Sequence, residues 1–316
     1  MPLSSASRVT GAGNAAGMRQ KHKPLDQQVI VVFGASSGIG RATALVAAKR
    51  GAKVVAAARD EAALTSLVAE AMPAEVAIGT ADAAQYHDVA AIAQLALAHF
   101  GRIDTWAHVA GIGEFAPVER MTPEEFRRIV EVDLLGPVHG AMAALPHLRK
   151  DGGAFVVVSS ETARRSLPLL TAYSAAKHGV DGFVKGLRVE LEHDRAPVSV
   201  TQIMPGSINT PFFENARSRL GVRGSGPPPV YSPEKVAEAI LDTAVHPRRD
   251  VVVGGAAKLQ LALQKVSPRL VDLVAKRSAV LRQERSDEPK HVGDDALFDA
   301  PHGDDRVRAG VTTMHR

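Results

Sequence analysis

The sequence predicts an α/β protein built on a doubly wound parallel sheet of about seven strands flanked by helices. Three observations carry that prediction. Short runs rich in Val, Ile and Ala alternate with longer segments punctuated as helices. The short runs are almost continuously apolar rather than alternating, as strands covered on both faces are. A glycine-rich turn joins the first run to the segment after it, which marks a strand-to-helix unit. Parallel strands joined through helices require right-handed crossovers, and that leaves few topologies.

The composition of 316 residues, formal charge +4, 45% hydrophobic, 23% charged and no cysteine, suits a chain that buries a full core. Without cysteine there is no disulfide framework, no thiolate nucleophile and no thiolate metal site. The twelve histidines are scattered without ligand spacing, so no metal is expected. No run approaches the roughly 18 consecutive apolar residues of a spanning helix. Basic residues are not interleaved with aromatics, so nucleic acid is not an expected partner. The expected location is cytoplasmic.

Residues 1–26 carry Arg8, Arg19, Lys21 and Lys23 against the single acid Asp26, and read as a flexible arm. The strands are expected at 29–33, 53–57, 76–78, 103–107, 154–158, 198–203 and 251–253. Gly51 and Gly101 read as helix stops, Thr122-Pro123-Glu124-Glu125 as a capping box, and Ser232-Pro233-Glu234 as another helix start.

The first strand runs into Gly34-Ala35-Ser36-Ser37-Gly38-Ile39-Gly40, and a helix is expected over 41–50. Small residues at such a turn let backbone approach a pyrophosphate, favoured by free N–H groups and the helix dipole. The alternative is a glycine turn that only packs strand on helix. The spacing Gly-x-x-x-Gly-x-Gly differs from Gly-x-Gly-x-x-Gly and lacks the Gly-Lys-Ser/Thr of P-loops. The second strand ends Ala56-Ala57-Ala58-Arg59, without the acid that would bind a ribose 2′-hydroxyl. Arg59 offers a planar donor suited to a 2′-phosphate, or is an exposed charge before Asp60 as N-cap.

Tyr173-Ser174-Ala175-Ala176-Lys177 places a phenol and an ammonium four residues apart on one helix face. A nearby cation favours phenolate and moves the tyrosine toward acid–base work. Ser160 ends the preceding strand, 13 residues before Tyr173, placed to stabilise charge on a substrate carbonyl oxygen. Otherwise it satisfies a turn.

Taken in order with Pro205-Gly206-Ser207-Ile208-Asn209-Thr210, these elements resemble the short-chain dehydrogenase/reductase family over residues 29–254. The resemblance implies a Rossmann-type fold, with 27–255 as the dinucleotide-binding and catalytic domain. It further implies hydride transfer between nicotinamide C4 and a carbonyl or alcohol carbon. Tyr173 would exchange the proton and Lys177 would also hold the nicotinamide ribose. Gly34, Ser36, Ser37, Gly38, Ile39, Gly40 and Arg59 would line the phosphates, Asp82 the adenine, and Ala110, Gly111, Pro205, Gly206 and Thr210 the nicotinamide. NADP(H) is the expected coenzyme, with NAD(H) possible, and a homodimer or homotetramer is implied. Two positions depart from the family pattern. His108 stands where Asn is usual and reads as a core histidine with satisfied hydrogen bonds. Asp133 replaces the fourth catalytic residue, also usually Asn. Its carbonyl could keep that role on a bulged helix, while its charge near Lys177 would raise the Tyr173 pKa.

Segments 113–115, 161–170 and 211–231 are expected to form the substrate side. Phe212, Phe213 and the glycines at 221, 224 and 226 suit a mobile lid over a largely apolar small molecule, or an ordinary loop. Arg164 and Arg165 are available to an acidic group. Residues 256–316 form a helical extension and an acidic, polar tail. Its basic, apolar stretch over 258–282, split at Pro268, is expected to pack on its own domain or a sister subunit rather than on an anionic membrane surface. If the tail is ordered, an apolar anchor such as Leu297 and Phe298 must dock it on the body or a partner subunit. The rival functional reading is a catalytically weak dinucleotide-binding regulatory or scaffold protein.

Overall fold

The computed structural model describes residues 22–284, 288–301 and 304–309, with side chains of 278–284 left aside. Most of the expected N-terminal arm, residues 1–21, lies outside the described residues. Seven strands form one parallel sheet: β1 (Val29–Phe33), β2 (Lys53–Ala58), β3 (Val76–Thr80), β4 (Thr105–His108), β6 (Gly153–Val158), β7 (Val198–Pro205) and β9 (Asp250–Val253). Their order is β3-β2-β1-β4-β6-β7-β9, and every pairing is parallel. A separate two-stranded pairing joins β5 (Glu114–Phe115) to β8 (Arg217–Ser218). Chain order reverses between β1 and β4, so a crevice opens beyond their carboxyl ends.

Helices α1 (Gly38–Lys49), α2 (Glu61–Ala71) and α8 (Pro233–Val245) cover one face, and α3 (Tyr86–Phe100), α5 (Gly136–Asp151) and α6 (Thr171–His193) the other. β1 shows why its sequence is apolar throughout. Ile30 and Val32 pack toward α1 and α2, Val31 and Phe33 toward the opposite helices, and all five residues of the strand are buried. Trp106, stacked 6.1 Å from Phe33, is fully buried in the second layer.

Punctuation follows local chemistry. Thr122 accepts from the Glu125 N–H, and the Glu125 carboxylate accepts from the Thr122 N–H, opening α4 (Pro123–Val130) with a complete capping box. Asp60 accepts from Ala63 N–H at 3.0 Å, and Gly101 stops α3 at φ 75°. Ser232 precedes α8 as expected, but its side chain makes no cap hydrogen bond. α1 begins at Gly38 rather than at 41, because Gly38-Ile39-Gly40 already supply its first turn.

After the four-residue α7 (Phe212–Asn215), the extension forms α9 (Gly255–Val266) and α10 (Pro268–Glu284), divided before Pro268. Ala257, Leu261, Val271 and Ala275 are buried, whereas Leu259, Leu263, Val266 and Leu270 are exposed. Packing on the chain's own domain therefore covers only one side of this pair. Among the described residues, one helical stretch, 123–151, is long and apolar enough to cross a membrane, but half of its apolar window is buried inside the protein. The tail returns to the body, where Leu297 is 1% exposed.

Candidate active site

Ser160 follows β6 and caps a 3-10 turn at Glu161–Ala163, its Oγ accepting from Thr162 N–H at 3.1 Å. Tyr173 and Lys177 rise from the first turns of α6, one helical repeat apart. Lys177 Nζ lies 5.3 Å from the Tyr173 ring centroid. These three side chains meet on the floor of the crevice.

Between α4 and α5 the helix widens into a π turn at Glu131–Leu135, which carries Asp133. The bulge expected there is present. Asp133 Oδ1 lies 2.9 Å from Lys177 Nζ, and Oδ2 accepts from Ile112 N–H at 3.2 Å. Both charged side chains are buried, and Asp133 does not line the crevice. Its carboxylate lies behind Lys177 as seen from the crevice. Burial raises the Tyr173 pKa; Lys177 and the Ser160 hydroxyl oppose this, while Asp133 adds to it. Burial lowers the Lys177 pKa, but Asp133 and Tyr173 together outweigh it and the net shift is upward. Burial pushes the Asp133 carboxyl up against the pull of Lys177.

Every other residue expected at a coenzyme site borders the same crevice: Gly34, Ser36, Ser37, Gly38, Ile39, Gly40, Arg59, Asp82, Ala110, Gly111, Pro205, Gly206 and Thr210. The glycines answer different demands. A Cβ at Gly34 would sit 2.4 Å from Ala110 N, and one at Gly40 would sit 1.8 Å from the Gly34 carbonyl oxygen. These two are fixed by contact of backbone with backbone, so the packing reading holds for them. At the N-terminus of α1, Ser37 provides no side-chain cap, and the Gly38 N–H donates to the Arg306 carbonyl at 2.9 Å. Gly111 is fixed by the Asp133 site, since its Cβ would meet Oδ1 at 2.8 Å.

Two charged residues that border the crevice are engaged by other parts of the chain. Arg59 is not a free charge: Nη1 donates to the Phe298 carbonyl at 2.9 Å and Nη2 to that of Ala296 at 2.7 Å. Asp82 accepts from Arg128 Nη2 at 2.6 Å and from Ala84 N–H at 2.9 Å, so a second arginine holds the adenine-side acid. His108 is a core histidine stacked 5.2 Å from Phe33, but its hydrogen bonds are not satisfied. Neither ring nitrogen has a partner among the described residues. The ring faces the α5 backbone at Gly136 and Gly140, which present no side-chain acceptor. Burial, Lys177 and His139 lower its pKa to about 3, so the ring is neutral.

The outer crevice is apolar, lined by Ile112, Leu167, Leu170, Phe212 and Phe213, with the Phe212 ring 5.5 Å from that of Tyr173. Arg164 and Arg165 do not line it. Arg164 is held by Asp181 and Asp250, and Arg165 is buried 3.6 Å from Glu161. Below this region, Arg219 and Arg217 bind Glu125, Arg219 also meets Glu114, and Arg217 also meets Asp295. Burial and then Glu125 push Glu114 up to about 7, while hydrogen bonds from Arg219, Thr122 and Arg217 overcome burial and hold Glu125 at about 2. Ala296 and Pro301 also border the crevice, a landing place for the tail that no motif in the sequence marks. Its one signal was the apolar pair Leu297-Phe298.

A family profile described as short chain dehydrogenase matches residues 28–221. The oxidoreductase YxnA of Bacillus subtilis is 41% identical over 290 residues, covering 90% of this chain and 81% of the relative. An alcohol dehydrogenase from the archaeon Thermococcus sibiricus, solved with 5-hydroxy-NADP, superposes with TM-score 0.63 at 27% identity, covering 72% of this chain and 94% of the other. The 3-ketoacyl-(acyl-carrier-protein) reductase of Brucella melitensis, solved with NADH, gives TM-score 0.65 at 29% identity, covering 74% and 99%. With a profile match running from β1 to β8 and a relative aligned along nearly the whole length, the chain belongs to the short-chain dehydrogenase/reductase family.

Proposed function

We propose that the protein is an NADPH-preferring oxidoreductase that interconverts a carbonyl and an alcohol on a largely apolar small molecule. The observation that carries this reading is that Ser160, Tyr173 and Lys177 line one crevice, with Lys177 Nζ 5.3 Å from the Tyr173 ring centroid. A nicotinamide dinucleotide bound along Gly34–Gly40 and Thr210 supplies or accepts the hydride. Ser160 and Tyr173 orient the substrate oxygen. Tyr173 gives its hydroxyl proton to that oxygen in reduction and takes it back in oxidation, with Lys177 stabilising the phenolate between. Phe212, Phe213, Leu167 and Leu170 exclude water from the reacting carbon and favour an apolar substituent. The preference for NADPH rests on Ala58 in place of an acid and on the Arg59 guanidinium at the edge of the crevice. Assembly as a homodimer or homotetramer belongs to the same proposal.

The test is NADPH and NADH oxidation by wild type and Tyr173→Phe against apolar aldehydes, ketones and quinones. Turnover that favours NADPH and falls about 10²–10⁴-fold in the variant, with coenzyme binding retained, is the expected result. Equal turnover by Tyr173→Phe would remove the proton-transfer assignment.

A further inference from the structure

The described part of the tail, residues 288–301 and 304–309, borders the crevice and takes up donors that a bound dinucleotide would need. The Gly38 N–H, at the head of α1, donates to the Arg306 carbonyl at 2.9 Å. Arg59 donates to the carbonyls of Ala296 and Phe298. One of these donor sets lies where a pyrophosphate would sit and the other where a 2′-phosphate would. A donor hydrogen committed to a backbone carbonyl is not available at full strength to a phosphate oxygen. We propose that this segment is a strap that gates coenzyme exchange: the docked strap blocks the phosphate subsites, and coenzyme enters and leaves when the strap lifts. The proposal rests on reading the crevice as a dinucleotide site.

The strap is fastened in a way that suits opening without unfolding. Its apolar anchor is Leu297, buried among the side chains of the α3–α5–α6 layer. The remaining fastenings are polar: Asn215 to Asp304 at 2.8 Å and Ser66 to Asp305 at 2.7 Å are half-buried, while Arg306 to Glu214 at 2.6 Å and Arg308 to Glu234 at 2.9 Å are exposed. An element held by few apolar contacts and several solvent-facing polar ones opens at a free energy below that of global unfolding. Arg217 ties the strap to the substrate side, because it binds Asp295 of the strap and Glu125 of the body. Lifting the strap therefore disturbs the contact that holds β8, and coenzyme exchange is coupled to the substrate loop.

Stopped-flow binding of NADPH and of NADH to the full chain, followed by coenzyme fluorescence, tests the gate. In wild type the observed rate should level off with coenzyme concentration, limited by strap opening. Leu297→Ser should bind at least tenfold faster at high coenzyme, with a rate that stays linear. The chain has no cysteine, so the touching pair Ser66 and Asp305 can be replaced as Ser66→Cys with Asp305→Cys to lock the strap. Oxidation of that variant should slow association at least tenfold, and dithiothreitol should restore it. The gate is overturned if the disulfide-linked and reduced forms bind equally fast. If wild type binds coenzyme and both variants leave its rates unchanged, the gate alone fails. If no form binds NADPH or NADH, the dinucleotide reading fails and the gate with it.

Discussion

Lys177 and Asp133 form a fully buried ion pair at 2.9 Å, directly behind the tyrosine that carries the proposed proton transfer. The pair favours the charged form of Lys177, which burial disfavours. It also places a carboxylate close enough to raise the pKa of Tyr173. The one substitution thus acts on the phenol in two opposed ways, through the cation it sustains and the negative charge it adds.

Asp133→Asn should move the pH–rate profile of alcohol oxidation to lower pH. Oxidation needs Tyr173 as phenolate, so its rate rises with pH through the tyrosine pKa. Removing a carboxylate that raises that pKa shifts the rising limb toward acid, provided Lys177 remains protonated over the range scanned. The pH dependence of kcat/KM for both proteins measures this. A limb that stays in place, or moves to higher pH, is incompatible with the electrostatic role.

Stability gives an independent test of the same pair. Asp133→Ala leaves a buried ammonium without its countercharge, a defect of about 3–5 kcal/mol. Replacing both partners, as Asp133→Leu with Lys177→Met, should recover most of that loss, because two apolar groups need no partner. Urea denaturation of the single and double variants reads the difference. A double variant less stable than Asp133→Ala would show that the pair contributes more than mutual neutralisation.

The sheet was legible because burial on both faces leaves nearly unbroken apolar runs, as in β1 and β6. The grouping of Ser160, Tyr173 and Lys177 was legible because its members sit on one strand end and one helix face, where sequence spacing translates directly into geometry. Asp133 was legible as a charge near Lys177, but the side-chain contact was not, since it depends on a π turn that turns the carboxylate toward α6. The ring nitrogens of His108, without a partner among the described residues, face glycines of α5, which no local pattern around β4 reveals. The landing place of the strap is a contact between residues more than 230 positions apart, such as Arg59 with Ala296, and sequence periodicity carries no information at that range.

Arg59→Ala should weaken NADPH more than NADH. Hydrogen bonds to a charged group contribute about 1.5–3 kcal/mol, which corresponds to roughly 10- to 150-fold in the dissociation constant for the coenzyme that carries the phosphate. Arg59 also holds the strap carbonyls, and losing those contacts alters both coenzymes alike. The ratio of the two dissociation constants, from equilibrium titration, isolates the phosphate contribution. An unchanged ratio would assign Arg59 to the strap alone.

The cluster beneath the substrate loop contains two carboxyls with opposite linkage to folding. Glu114, pushed up to about 7, binds its proton more tightly in the folded state than in the unfolded one, so stability declines as pH rises from about 4.5 through 7. Glu125, held at about 2, contributes stability above the ordinary glutamate pKa that is lost as pH falls toward 2. Glu114→Gln removes the first dependence and leaves the second. Denaturation at pH 5 and pH 7.5 should therefore show wild type losing on the order of 1–3 kcal/mol across that interval relative to the variant. A parallel pH dependence in the two proteins would mean that Arg219, at 3.2 Å from Glu114, already holds that carboxyl ionised in the folded state.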